Sequence, residues 1–249
     1  MWGIIPAAGA GSRIQPLAFS KELLPVGSRS DSFVERPRAV SEYLIDRMIR
    51  AGATKMCIII SPGKSDIMEY YGGGMGGVHF CYMIQQEPRG LCDAIFCSLP
   101  LIHPDEQVLV GLPDTVWFPE NGLCDLPDDI LSFLLFPVDR PHLFDAVLLK
   151  QDGSIVKILV KKPNPGTNWI WGAFKLSGRI CHELFDLWCK RARQDEYIGT
   201  LVNTYIHDGG QALGICAGES YVDVGTFDGY RKAINLLHSK QIYERKIAT

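Results

Sequence analysis

The residues best suited to chemistry cluster near the start of the chain. The stretch Ile4-Ile5-Pro6-Ala7-Ala8-Gly9-Ala10-Gly11-Ser12-Arg13 carries a short apolar run into small residues and two glycines. Lys21 follows, beside Glu22-Leu23-Leu24-Pro25. A loop of this kind turns backbone N–H groups into one cavity and lets phosphate oxygens come close. Arg13 adds several fixed donors and Lys21 a point charge, so the set suits a polyphosphate. Ala8, Gly9, Ala10, Gly11, Ser12 and Arg13 are therefore the candidate phosphate-binding stretch. Two familiar phosphate loops do not fit. G-x-G-x-x-G fails because Ile14 stands where its third glycine belongs, and G-x-x-x-x-G-K-[ST] fails because no second glycine is followed by Lys. The plain alternative is a glycine turn with two solvated charges, and the length of the whole string argues against it.

Other candidates lie far along the chain. Asp114 follows the apolar run 107–112, and a carboxylate at the C-terminal edge of a parallel sheet lies where ligands bind in such folds. Taken alone, it is equally an Asp in a turn. Gln85 closes another apolar run and carries both a donor and an acceptor. Asp223 sits in Tyr221-Val222-Asp223-Val224-Gly225-Thr226, where a helix entry capped by Thr226 is the competing explanation. His103, His142 and His182 match no catalytic pattern. The 8 cysteines include no C-x-x-C pair, so buried reduced thiols of a cytoplasmic protein are expected, with Cys57, Cys81 and Cys216 inside apolar runs.

These residues need a scaffold, and the apolar pattern supplies one. Buried strands are expected over 3–8, 55–61, 78–85 and 107–112, with helices over 37–51, 66–71 and 91–101 between them. That β-α-β order implies an α/β fold with a largely parallel sheet and helices on both faces. The second half changes character. A hairpin turning at Asp152-Gly153 joins 145–149 to 155–160. A strand over 169–176, helices over 179–193 and 197–208, a strand over 212–216 and a closing helix over 227–245 follow. The chain has 249 residues, 47% of them hydrophobic and 21% charged, which is enough for a sizeable core and excludes disorder as the dominant state. A net charge of −3 argues against a nucleic-acid partner. No apolar run approaches the roughly 20 residues that span a bilayer. Nothing basic precedes Trp2-Gly3-Ile4-Ile5, so a signal peptide is not expected either.

Gly9-Ala10-Gly11-Ser12-Arg13, Pro16-Leu17 and Lys21-Glu22-Leu23-Leu24-Pro25-Val26 together resemble the signature of the sugar-1-phosphate nucleotidylyltransferases, or NDP-sugar pyrophosphorylases. The glucose-1-phosphate thymidylyltransferases and uridylyltransferases belong to that family, and further landmarks follow in its order through almost the whole chain. The resemblance implies a three-layer, Rossmann-like fold of the GT-A-like nucleotide-diphospho-sugar transferase type. It implies one domain over 1–249, with residues 1–115 as the nucleotide-binding half and 116–249 as the sugar-phosphate-binding half. It assigns Gln85 to the nucleobase and Gly90, in Gln85-Gln86-Glu87-Pro88-Arg89-Gly90, to close approach of the base. It assigns Mg²⁺ to Asp114 and Asp223. Arg13 and Lys21 would stabilise leaving pyrophosphate, and Lys162 of Lys161-Lys162-Pro163 would hold the sugar phosphate, with Gly172 and Glu196 on the same side.

The implied reaction is nucleotidylyl transfer from a nucleoside triphosphate, dTTP or UTP favoured, to a sugar 1-phosphate. Neither nucleic acid nor membrane is an expected partner, and a homo-oligomer is left open. The sequence also departs from the family. Lys161 stands where a Glu contacts the sugar, and Phe144-Asp145-Ala146-Val147 is a loose match to a Y-G-V-like turn. Trp169 and Trp171 read as core, oligomer-interface or ligand-stacking residues. Three alternatives stay open: cytidylyl transfer to a phosphate such as phosphocholine, a nucleotide-sugar-binding regulatory protein without turnover, and a dinucleotide-dependent oxidoreductase.

Overall fold

The structure is a computed structural model that describes residues 1–31 and 34–247. Strand β1 (Trp2–Pro6) leads through the glycine loop to a hairpin of β2 (Pro25–Asp31) and β3 (Val34–Ala39). Then come α1 (Val40–Arg50), β4 (Lys55–Ile60), α2 (Ser65–Tyr71), the short β5 (Gly74–Met75), β6 (Val78–Ile84), α3 (Leu91–Cys97) and β7 (Gln107–Gly111). The second half holds β8 (Thr115–Phe118), β9 (Leu131–Pro137), β10 (Asp145–Leu149), β11 (Ile155–Val160) and β12 (Trp169–Ser177). It ends with α4 (Gly178–Lys190), α5 (Ile198–His207), β13 (Ala212–Ile215), β14 (Ser220–Asp223) and α6 (Phe227–Ile247).

Ten strands form one mixed sheet in the order β11-β10-β12-β7-β1-β4-β6-β5, with β9 and β13 branching from β12. Its central block β7-β1-β4-β6 is parallel, as the buried apolar runs predict. Alternate residues of those runs serve opposite faces. Ile4, Cys57, Ile59, Val108 and Val110 pack with α3, α4 and α5 through Ile95, Phe96, Leu184, Trp188, Leu201 and Val202. Ile5, Met56, Ile58, Ile60 and Leu109 pack with α1 and α2 through Leu44, Ile45, Met48 and Ile67. Helices thus cover both faces, giving three layers. A third cluster joins Val26, Tyr43, Val116, Phe118 and Val224 to Ala233 and Leu237 of α6.

The opposite edge of the parallel block, away from the glycine loop, is pinned by Glu106. It accepts hydrogen bonds from Trp2 Nε1 (3.0 Å) and His103 N (3.1 Å) and pairs with Lys55. The hydrogen bond from Lys55 is the main cause that holds its carboxyl down to about 2. The folded value lies below the unfolded one, so the stability it lends is complete above the ordinary Glu value and lost as pH falls toward 2. Glu106→Gln should remove about 1–2 kcal/mol near neutrality and flatten the loss between pH 5 and 2, read as Tm against pH.

Several elements differ from the sequence expectation. The helix predicted over 37–51 begins at Val40, because Pro37 lies in β3 opposite Ser28. The helix predicted over 91–101 stops at Cys97, and Leu99–Leu101 forms a 3₁₀ turn around Pro100, which lacks a donor to continue it. No strand is expected from sequence at β2, β3, β5, β8, β9 or β14. Strand β9 is buried along nearly its whole length, so its residues show no alternation to read. Cys216 is exposed rather than buried, because β13 ends at Ile215; all 8 cysteines are free, and Cys57, Cys92 and Cys181 are the buried ones. Trp171 lies in the core and Trp169 packs against it.

Candidate active site

The glycine loop leaves the sheet where the C-terminal ends of the parallel strands open. Ala7 N still donates to Ile59 O (2.7 Å), after which the chain turns away. Gly11 has φ +66°, and a Cβ there would sit 2.7 Å from Lys21 Cδ. Glycine at this position therefore does two things: it supplies the left-handed turn and lets Lys21 pass beneath the loop. Among the described residues, none accepts a hydrogen bond from the amides of Gly9, Ala10, Gly11 or Ser12. Gly9 is exposed, with nothing within 4 Å of a Cβ placed on it.

Two carboxylates face this loop, and a small separate sheet brings them together. Strands β8 and β14 pair antiparallel, with Asp223 opposite Thr115, so Asp223 arrives beside Asp114. Val224 N extends the contact by donating to Asp114 O (2.8 Å). Lys21 forms an ion pair with Asp114, and Arg13 NH1 reaches Asp223 Oδ2 at 3.0 Å. Gly225 N donates to the other oxygen, Asp223 Oδ1 (2.7 Å). A Cβ on Gly225 would lie 2.8 Å from Asp223 Oδ1, 3.0 Å from Arg13 NH2 and 3.1 Å from Asp114 Oδ2. The candidate residues thus converge on one small space in front of Gly225.

Charge in that space is balanced. Burial pushes the Asp114 carboxyl up, but the Lys21 ammonium beside it more than offsets this and holds it below the usual range. Burial lowers Lys21, and Asp114 more than restores it, so the ammonium is held above its ordinary value. Both stay ionised across neutral pH. Arg13 is 60% exposed, so its pairing with Asp223 is screened and readily exchanged. Among the described residues no group of three or more His, Cys, Asp or Glu gathers around a point. Two hard carboxylates without nitrogen or sulfur ligands fit a cation such as Mg²⁺, which takes its remaining ligands from phosphate and water.

A buried pair supports Lys21 from below. Lys64 Nζ donates to both oxygens of Glu22 (2.8 Å each) and to Ala7 O (2.6 Å), tying the end of β1, the Lys21 turn and the start of α2 together. Burial pushes the Glu22 carboxyl up, against the pull of Lys64 and Lys21. Lys64→Met should therefore cost about 3 kcal/mol by stranding Glu22, and adding Glu22→Gln should return most of it. Urea unfolding of the single and double variants measures both.

The other predicted residues fall into two groups around this centre. Gln85 is buried and donates through Nε2 to Asp93 Oδ2 (2.7 Å) and Gly90 O (3.1 Å). Gly90 has φ +93°, and the place of its Cβ is filled by the Glu196 backbone at 2.7 Å. Its glycine requirement thus comes from the protein's own chain. Leu91 N donates to Glu196 O (2.7 Å), so Glu196 is moored at the start of α3 with its side chain exposed. On the far side, Gly172 lets the rings of Phe136 and Tyr221 close in, each within 2.7 Å of a would-be Cβ. Lys162 is exposed, and no described residue forms a hydrogen bond or ion pair with its side chain.

Sequence reasoning missed several contributors. Tyr221 links the halves: it lies opposite Trp117 in the ribbon, its ring packs against those of Phe136 and Phe144, and burial together with Asp223, Asp114 and Asp145 raises its hydroxyl well above the ordinary tyrosine value. Arg47 is buried under β8, with NH1 donating to Tyr43 O (2.7 Å) and NH2 to Trp117 O. Burial lowers its guanidinium to about 10. Its place on the apolar face of α1, a turn from Tyr43 and Leu44, was the available signal.

Residues 2–240 match the family described as nucleotidyl transferase. The chain belongs to the nucleotidyl transferase family. This nucleotidyl transferase is 27% identical over 253 residues to the glucose-1-phosphate thymidylyltransferase of Mycolicibacterium smegmatis, covering 97% of this chain and 84% of that one. It is 27% identical over 201 residues to the UTP–glucose-1-phosphate uridylyltransferase of Bacillus subtilis, covering 66% and 65%. The UTP-bound UGPase of Acinetobacter baumannii superposes with a TM-score of 0.77 over 99% of this chain and 98% of that one, at 17% identity. That match shares the fold, and the α/β architecture expected from sequence stands. No helix among the described residues is long and apolar enough to cross a membrane.

Proposed function

We propose that this nucleotidyl transferase moves a nucleotidyl group from dTTP or UTP to a sugar 1-phosphate in a Mg²⁺-dependent reaction, releasing pyrophosphate. The carrying observation is the convergence of Lys21–Asp114 and Arg13–Asp223 in front of Gly225, beneath a loop whose amides at 9–12 have no acceptor among the described residues. The relatives named for glucose 1-phosphate chemistry supply the acceptor class. On this reading residues 1–115 and 116–249 act as one unit, because each supplies one carboxylate. A cytoplasmic setting suits free thiols and soluble substrates.

In the reaction a phosphate oxygen of the acceptor attacks the α-phosphorus in line. The new O–P bond forms as the bond to the bridging oxygen of pyrophosphate breaks, and that oxygen takes the electron pair. The protein contributes position and charge. Loop amides 9–12 bind the triphosphate oxygens. Asp114 and Asp223 would hold Mg²⁺, which when bound supplies charge neutralisation at the α-phosphate. Arg13 and Lys21, freed from the carboxylates, stabilise the departing pyrophosphate, and Lys162 holds the acceptor phosphate.

Base choice follows from Gln85. Its amide nitrogen is committed to Asp93 and Gly90, which leaves Oε1 to accept. Thymine and uracil offer an N3–H to such an acceptor, whereas cytosine offers a bare N3. The test is pyrophosphate release across dTTP, UTP, CTP, ATP and GTP, each with sugar 1-phosphates and phosphocholine. Turnover with dTTP or UTP and a sugar phosphate is expected. Preference for CTP with phosphocholine, or tight triphosphate binding with no turnover on any acceptor, would overturn the reading.

A further inference from the structure

The direction in which Lys21 points is set by its neighbours in the chain. Leu23 N donates to Ser20 O (2.9 Å), so Ser20 opens the short helical turn Lys21–Leu23. Glu22 is held twice, its carboxylate by Lys64 and its carbonyl by Ser41 Oγ (2.7 Å). Ser20 is held by Asp66, in the first turn of α2. Ser20 N donates to Asp66 Oδ2 and Ser20 Oγ to Asp66 Oδ1, each at 2.6 Å. Ile67 N adds a third bond, to Oδ1 (3.0 Å). Burial pushes the Asp66 carboxyl up, and these bonds more than offset it, holding it below the usual range. The carboxylate therefore accepts from both Ser20 donors across neutral pH.

This contact is one mooring of the glycine loop. The other is Ala7, whose amide donates to Ile59 O and whose carbonyl accepts from Lys64 Nζ. Among the described residues, the hydrogen bonds made between Ala8 and Phe19 run within the loop: Ile14 N to Gly11 O, Leu17 N to Gln15 Oε1 and Gln15 Nε2 to Ala10 O. Arg13 reaches out to Asp223 with a largely exposed side chain. A cavity of about 440 Å³ separates Gln15, Leu17 and Phe19 of the loop from Ser61, Gly63 and Ser65 at the start of α2. The loop thus bridges a gap between two moorings, and the second adjoins Lys21.

We propose that Asp66 is a positioning residue for the polyphosphate: through Ser20 it fixes both the closing end of the glycine loop and the aim of the Lys21 ammonium. This rests on the reading of Lys21 as a group that holds the leaving pyrophosphate. Asp66 touches neither substrate nor metal in this scheme. Its effect passes through one residue, so it must vanish when Lys21 can no longer act. A drift of Lys21 on the order of 1 Å is worth about a hundredfold in a positioned reaction.

The test uses the full chain and two readouts, calorimetric binding of inorganic pyrophosphate with Mg²⁺, and turnover. Asp66→Ala should weaken pyrophosphate about tenfold and lower kcat about ten- to a hundredfold, with the KM for acceptor within about twofold. In a Lys21→Gln background, which still gives Asp114 a donor, the same change should alter pyrophosphate binding by less than about twofold. Asp66→Asn should lose less than alanine, because its oxygen can still accept from Ser20 N while its NH₂ donates to Ser20 Oγ. It stands in if the alanine variant does not fold. Equal losses in the wild-type and Lys21→Gln backgrounds would reduce Asp66 to a structural role and overturn the proposal. Unchanged pyrophosphate binding in both Asp66 variants would overturn it as well. Pyrophosphate binding needs no acceptor, so a chain that turns over no sugar phosphate would sink the transfer reaction and still decide this proposal.

Discussion

Asp114→Asn will cut pyrophosphate release by at least about a thousandfold while leaving the protein folded. Asparagine keeps the volume and one acceptor oxygen but removes the charge. Three consequences follow at once. The proposed Mg²⁺ position loses one of its two carboxylates. Lys21 loses its ion-pair partner, with both side chains only 13% exposed. The balance of two anions and two cations tips toward positive. Breaking such a buried pair from one side should cost about 3 kcal/mol, because Lys21 is left charged and unpaired. A second variant separates stability from chemistry: Asp114→Asn with Lys21→Met should recover most of the lost stability and none of the activity. Urea unfolding reads the first effect and pyrophosphate release the second. Turnover within tenfold of wild type in the single variant would remove Asp114 from the reaction.

Gly225→Ala should give the opposite signature, a large loss of rate at nearly constant stability. The backbone at Gly225 lies outside the left-handed region, so alanine brings no strain of its own. The added methyl would sit 2.8 Å from Asp223 Oδ1, 3.0 Å from Arg13 NH2 and 3.1 Å from Asp114 Oδ2. Those are the ends of polar side chains, and they can give way, but only by leaving the positions the chemistry uses. A displacement on the order of 1 Å costs about a hundredfold in a positioned reaction. We expect kcat to fall by about that factor with Tm changed by ~2 °C or less. Unchanged kcat would mean the space before Gly225 is not where the phosphates react.

The parallel half of the fold is legible in the sequence because its strands are continuous apolar runs broken by short helices. The second half is less so. Strand β9 is central and buried, and β8 and β14 are four-residue strands that exist only because they pair with each other. The loop from Ala8 to Arg13 is legible because its small residues and glycines are contiguous in the chain. Gly225 is not, because its neighbours Asp114 and Arg13 become neighbours only through the β8–β14 pairing. Lys64 looks like one more polar loop residue until the fold buries it against Glu22. For Gly90 and Gly172 the sequence identifies positions that must lack a side chain, but the structure gives a different reason: Glu196 and two aromatic rings occupy the space.

The β8–β14 ribbon also sets the order in which the molecule can come apart. All four residues of β14 are only half-buried, while its partner β8 is fully buried and packs on the main core through Trp117, so β14 is the looser strand of a ribbon that pairs with no strand of the ten-stranded sheet. Such a strand opens at lower free energy than the main sheet. Its opening withdraws Asp223 while β1, β4, β6 and β7 stay paired. Under mild denaturant the chain should therefore fall silent before it unfolds, with amide exchange at β14 tracking loss of turnover and exchange at β1 tracking global melting. Catalytic competence in this protein then measures the docking of one short strand rather than the persistence of the whole fold.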